Sequence, residues 1–123
     1  MDIQNTEDMG HIFYHCINLL NLNLSSFNTK KVINMESMFE DCKKLNKLDL
    51  SHFDTRNIET MEEMFNGAQK LEKLDLYSFD FNEQCNLNKM FDFCWNLKEI
   101  TIKRKYYKNL KEKLKEEGNK IFH

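Results

Sequence analysis

The sequence contains no proline, where ordinary usage would supply about six in a chain of 123 residues, and only three glycines. A proline inside a strand or helix removes an amide donor, so its absence suits a chain whose positions nearly all lie in regular elements or tight connectors. Three glycines could hardly build a phosphate-binding loop, and neither a nucleophile elbow nor an HExxH pair occurs. The four cysteines include no CxxC pair, so zinc is not supported. No catalytic activity, cofactor or metal is therefore expected. No apolar run approaches the roughly 18 residues of a membrane span. No signal segment opens the sequence, and Cys16, preceded by Phe13, Tyr14 and His15, lacks the small-residue approach of a lipoprotein cleavage site. The chain as it stands is expected in the cytoplasm, and at the surface if it is part of a larger exported protein.

What the chain does have is 41% hydrophobic residues, 10 Phe and a net charge of only -2, a composition that folds. Its length suffices for one domain, burying roughly two thirds of the unfolded surface. Three segments align without a gap at a 26-residue period: 19–44, 45–70 and 71–96. A fourth starts at Leu97 and breaks off. Upstream, Met9, Ile12, Phe13 and Cys16 fall in the register of Met35, Met38, Phe39 and Cys42, so a half repeat within 1–18 precedes the first full one.

Each repeat carries two periodicities. Its opening LxxLxL places alternate residues on one face of a strand: Leu22/Leu24, Leu48/Leu50, Leu74/Leu76 and Ile100/Ile102. Its second half places apolar residues at i, i+3, i+4 and i+7, as in Met61, Met64, Phe65 and Ala68, or Leu87, Met90, Phe91 and Cys94, which predicts a short helix. Asp8, Asn34, Thr60 and Asn86 are placed to cap these helices, and Thr60 with Glu63 has the capping-box spacing. Between strand and helix, Phe27, Phe53 and Phe79 form one recurring apolar column and Val32 and Ile58 another. A strand and a helix in each repeat must coil right-handedly, stacking the strands into a short parallel sheet of about four strands with short helices on the other side. The predicted fold is an α/β solenoid.

The run LDLSHFDTRNIETMEEMFNGAQKL resembles the BspA-like leucine-rich repeats, whose units read approximately LxxLDLSxFDTSNVTNMxxMFxxC, and the match recurs three times over about three quarters of the chain. The resemblance implies a leucine-rich-repeat solenoid. It also implies kinship with larger bacterial surface proteins and lipoproteins, some of which adhere to host matrix proteins. The third repeat departs from the pattern, with Tyr77 for Ser, Phe81 for Thr and Gln84 for the Val or Ile, and Cys85 is placed to supply the lost apolar contact.

The open ends of such a stack need caps. Residues 8–17 serve at one end, with 1–7 as a polar lead. At the other, within 97–123, Tyr106, Tyr107, Leu110 and Leu114 share one face of a capping helix that Gly118 would stop. From Lys103 onward the chain carries a charge of about +5 against about -7 for the body. That asymmetry admits a polyanion partner, but the pairs Lys108/Glu112, Glu112/Lys115 and Lys113/Glu117 suit a solvated helix face. Cys16, Cys42 and Cys94 share one repeat position with Ala68, and helices pack about 8 to 10 Å apart, beyond disulfide reach, so free thiols are expected. His11 and His15 fall at outward repeat positions; His52 and His123 have no identifiable partner.

These observations point to a noncatalytic protein-interaction module. Its candidate binding face is the outer side of the sheet: Lys47, Asp49, Ser51, Lys73, Asp75, Tyr77, Glu99 and Thr101, with Tyr77 as the aromatic anchor. A protein partner is expected, with no nucleic acid and no membrane span. The edge segment Leu19 to Leu24 carries Leu20 where later repeats carry Asn46, Glu72 and Lys98, which points to self-association.

Overall fold

The computed structural model describes residues 6–114. Gly118, His123, the pairs made by Lys115 and Glu117, and most of the polar lead lie outside the described residues. The regular elements among those described are β1 (Lys73–Asp75), β2 (Glu99–Thr101), a single 3-10 turn at Arg104–Tyr106, and α1 (Tyr107–Lys113). The strands pair in parallel with Lys73 opposite Glu99, Leu74 opposite Ile100 and Asp75 opposite Thr101. Leu74 and Ile100 face the core, while Lys73 and Asp75 face out. The sheet expected from four strands is thus two strands wide. Leu24 and Leu50 are buried as strand alternation requires, but only the Asn46 amide crosses, to Leu20 at 3.2 Å. Parallel pairing of such short segments makes few bonds, and the pair next to the C-terminal helix is the one that closes.

The short helices expected in each repeat are absent, and what replaces them explains their sequence. His11, His15, Ser37, Asp41, Glu63, Gly67, Lys89 and Phe93 all have φ between 55° and 80°. No α-helix contains such residues. Instead the backbone runs as overlapping four-residue turns. In the second repeat the amides of Met64, Asn66 and Ala68 return to the carbonyls three residues back, at 3.0 to 3.1 Å. The intervening amides leave the repeat: Met61, Glu63, Phe65 and Gly67 donate to the carbonyls of Asn86, Asn88, Met90 and Asp92, at 2.8 to 3.0 Å. Met35, Ser37, Phe39 and Asp41 reach the second repeat in the same way, and Met9, His11, Phe13 and His15 reach the first. From Met35 to Cys42 and from Met61 to Ala68 every amide thus has an acceptor, on the chain's own repeat or across on the next.

A left-handed conformation costs a non-glycine residue about 1 kcal/mol or more, a cost that the cross-repeat bonds offset. Gly67 is the one glycine among the eight. A Cβ there would lie against Asp41 Oδ1 of the preceding repeat, so the missing side chain makes room for the neighbouring carboxylate. The residues expected to be helix caps act at the corners. Asp8, Asn34 and Asn86 accept from the amide two residues on through Oδ1 (2.8 to 2.9 Å), and Thr60 through Oγ1 at 3.2 Å. The expected capping box does not form, because Glu63 Oε2 accepts from Asn66 Nδ2 instead.

Side chains repeat the same register. Phe13, Phe39, Phe65 and Phe91 stack in one column with centroids 5.7 to 5.8 Å apart and planes within 9°. Phe53 and Phe79 stack in another at 6.3 Å. The hydroxyl of Thr29 donates to the Asp54 carbonyl and accepts its amide, and Thr55 clamps Asp80 in the same way. The third repeat has Phe81 at this position, and its edge-to-face contact with Tyr106, at 5.4 Å, joins the body to the C-terminal segment. Cys85 is buried beside exposed Gln84, and its amide returns to Asn82 as Ile58 returns to Thr55, a turn shifted by one residue.

At the C-terminal end, Leu110 and Leu114 are buried, Tyr106 is half-buried and Tyr107 is exposed, so the apolar face of α1 is narrower than its sequence suggests. Lys103 Nζ and the Tyr106 hydroxyl both donate to Asp80 Oδ1, at 2.9 and 2.8 Å. These contacts hold the Asp80 carboxyl below the usual carboxylate range, with the Lys103 bond the main cause.

Candidate partner-binding face

On the outer side of the sheet, Lys47, Asp49, Ser51, Lys73, Asp75 and Tyr77 are exposed and Glu99 and Thr101 half-exposed. The strand register brings Lys73 Nζ to 3.7 Å from Glu99 Oε2. Asp49 and Asp75 have a structural task besides their exposure. Each accepts through Oδ1 from the amide two residues on, that of Ser51 and Tyr77 respectively, at 2.9 Å, and Asn23 does the same for Ser25. The Ser51 side chain and amide hold the Asp49 carboxyl below its ordinary range. Asp75 therefore fixes the backbone from which Tyr77, 59% exposed, projects. Beside this face an open, polar groove of about 540 Å³ runs across repeats, lined by Leu20, Asn46 and Glu72 from one repeat position and Lys44, Lys70 and Asn96 from another.

The sequence reading missed a second group of exposed aromatic residues. Phe93 and Trp95 form an edge-to-face pair with centroids 5.5 Å apart, and they are 57% and 68% exposed. The signal was present in the repeat register: Phe93 follows Asp41 and Gly67 in its column, and Trp95 follows Lys43 and Gln69.

Other polar groups are structural or dispersed. Among the described residues no group of three or more His, Cys, Asp or Glu could hold a metal. No disulfide joins the four cysteines. Cys42 Sγ donates to the Phe13 carbonyl at 3.1 Å and Cys94 Sγ to that of Phe65 at 3.0 Å. Burial pushes the Cys42 thiol up to about 12 and Cys85 to about 11, which disfavours the thiolate needed by a nucleophile or metal ligand. His11 and His15 are exposed, with His15 Nε2 3.4 Å from Asp41 Oδ2; the His52 ring donates to the Leu24 carbonyl. Lys103 and Lys113 are bonded to the body, the latter to the Glu83 carbonyl at 2.7 Å, which reduces the free charge of the basic segment.

One carboxyl pair gives a pH response. Burial, a hydrogen bond shared with Glu63 and repulsion from Glu63 and Asp41 raise Glu40 from 4.5 to about 7. The fold then holds a proton that the unfolded chain has lost. This contribution is full below about pH 4.5 and disappears as pH rises through about 7. Because Glu40 is partly in water, about 1 kcal/mol is expected after screening. Thermal melts of wild type should fall across this window, and those of Glu40→Gln should fall less. An identical slope in the variant would contradict the assignment.

The family described as "Mycoplasma protein of unknown function, DUF285" matches residues 1–111. The chain belongs to this family. No curated protein and no solved structure matches the DUF285 chain. No helix among its described residues is long and apolar enough to cross a membrane.

Proposed function

We propose that this DUF285 chain is a noncatalytic protein-interaction module, built as a BspA-like leucine-rich-repeat solenoid, whose sheet face docks a partner protein around Tyr77. The observation that carries the reading is the setting of Tyr77. An exposed aromatic stands beside a charge lattice that includes Lys73 and Glu99, on backbone fixed by Asp75 and by β1–β2 pairing. Aromatic anchors on rigid backbone contribute most of the energy of many interfaces, because little side-chain entropy is lost on docking. Affinity capture with wild type beside Tyr77→Ala tests this. A partner of this face should lose more than about 1 kcal/mol of affinity, roughly a fivefold change, while the melting temperature stays at the wild-type value. Equal retention by both chains would count against the face.

The match to a Mycoplasma family, with the repeat resemblance, favours a second reading: a fragment or relative of a bacterial surface protein that binds host or matrix proteins. Binding of the same two chains to immobilised matrix proteins separates it from the first.

A further inference from the structure

The stacked turns change the distance between equivalent residues of adjacent repeats. Packed helices would hold Cys16 and Cys42 about 8 to 10 Å apart, whereas parallel backbones bonded to each other stand about 4.8 Å apart. The His15 amide, one residue before Cys16, meets the Glu40 carbonyl at 2.9 Å, and the Phe13 and Phe39 rings stack 5.7 Å apart in the same register. Disulfides form at Cα separations of about 4.4 to 6.8 Å. The register therefore brings Cys16 and Cys42 within bridging reach.

Two observations tie the sulfur of one to the other. Cys42 Sγ and the Cys16 amide both donate to the Phe13 carbonyl, each at 3.1 Å. Burial is the main reason the Cys42 thiol is pushed up to about 12, and the charge of Cys16 is the next, so each sulfur lies in the field of the other. No other pair of the four cysteines is so placed. Ala68 stands between Cys42 and Cys94 in their column, and Cys85 lies outside it, with Sγ 3.9 Å from the Asn86 carbonyl. Were Cys42 to give up its bond, the Phe13 carbonyl would keep the Cys16 amide, so no buried acceptor would be stranded.

We propose that Cys16 and Cys42 form a redox-sensitive dithiol, closed by a low-molecular-weight disulfide into a Cys16–Cys42 bond that fastens the turns of 8–17 to the first repeat. Cys16 is partly exposed and Cys42 buried, so the oxidant meets Cys16 first. The Cys16 thiolate attacks one sulfur of the small disulfide, whose S–S bond breaks, and the departing thiolate takes up the proton that Cys16 lost. Cys42 then loses its proton, and its sulfur attacks the Cys16 sulfur and releases the second small thiol. Two electrons pass from the cysteine pair to the small disulfide, which leaves as two thiols. The scarcity of Cys42 thiolate makes this second step the slow one. The pair lies in the turns, not on the sheet face that carries Tyr77.

Reaction of the reduced full chain with glutathione disulfide tests the proposal. Wild type should lose the two thiol hydrogens, and a digest should yield the peptide of Cys16 joined to that of Cys42. The melting temperature should rise by about 10 °C, and dithiothreitol should reverse every change. Ala68 is buried in the same column, so Cys16→Ala and Cys42→Ala are expected to fold. Cys42→Ala should stop at a glutathione adduct on Cys16 with an unchanged melting temperature, and Cys16→Ala should take up nothing at Cys42. Wild type that ends, like Cys42→Ala, as the adduct would overturn the proposal. So would wild type that does not react, a joined pair other than Cys16 and Cys42, or a bond that leaves the melting temperature unchanged or lower.

Discussion

Phe65→Ala should cost about 3 to 5 kcal/mol, a large part of the 5 to 15 kcal/mol that stabilises an ordinary domain. Phe65 is fully buried and stacks on Phe39 on one side and Phe91 on the other, at 5.7 and 5.8 Å. Its removal leaves a cavity between two repeats whose backbones are tied together at alternate residues, so the walls cannot collapse without breaking those bonds. A melting temperature lower by roughly 10 to 20 °C is expected. A shift of only a few degrees would mean that the ring column contributes little.

Glu63→Pro should be as damaging, for a backbone reason. Glu63 has φ of 57°, which proline, held near -65°, cannot adopt, and its amide donates to the Asn88 carbonyl at 3.0 Å. The substitution removes the bond and forbids the turn, so a loss of at least about 3 kcal/mol is expected. Proline would also disrupt a helix, so the sign of a milder change separates the two structures. Lys89 has the same φ, 57°, and its side chain is exposed. Lys89→Gly should leave stability unchanged or raise it by up to about 1 kcal/mol, whereas glycine inside a helix would lower it by about that amount. Urea unfolding of the two variants beside wild type reads both results.

The sequence misleads at these turns for a geometric reason. A left-handed residue at every fourth position, as at Ser37 and Asp41, turns the chain so that Met35, Met38, Phe39 and Cys42 all point inward, the set an amphipathic helix would bury. Hydrophobic spacing reports which residues are inside and is silent on how the backbone brings them there. Seven of the eight left-handed positions carry a side chain, so glycine did not mark them, although His11, His15 and Asp41 are residue types that enter this conformation more often than most. The repeat period was legible because equivalent residues stack in space and are constrained together, as the Phe13 to Phe91 column shows. Cys85 was legible beside Gln84 by the same reasoning.

The exposure of Lys73, Asp75 and Tyr77 was legible because strand alternation decides which side chains point out. The structural duty of Asp49 and Asp75 was not, since an Asx turn and a charged binding residue look alike in sequence. The Phe93–Trp95 pair was missed because a pattern search for core residues absorbs aromatic residues near the MFxxC motif. Comparing each repeat column residue by residue would have found it.

Residue-by-residue amide hydrogen exchange on the dilute chain tests the stacked-turn architecture most directly. Met61, Glu63 and Gly67 amides donate to the next repeat, whereas Leu87, Lys89 and Phe93, their counterparts in the last repeat, have no acceptor among the described residues. Exchange should be slow at the first three, near the rate set by global unfolding, and faster at the other three. Equal protection at all six, as two equivalent helices would give, would contradict the account.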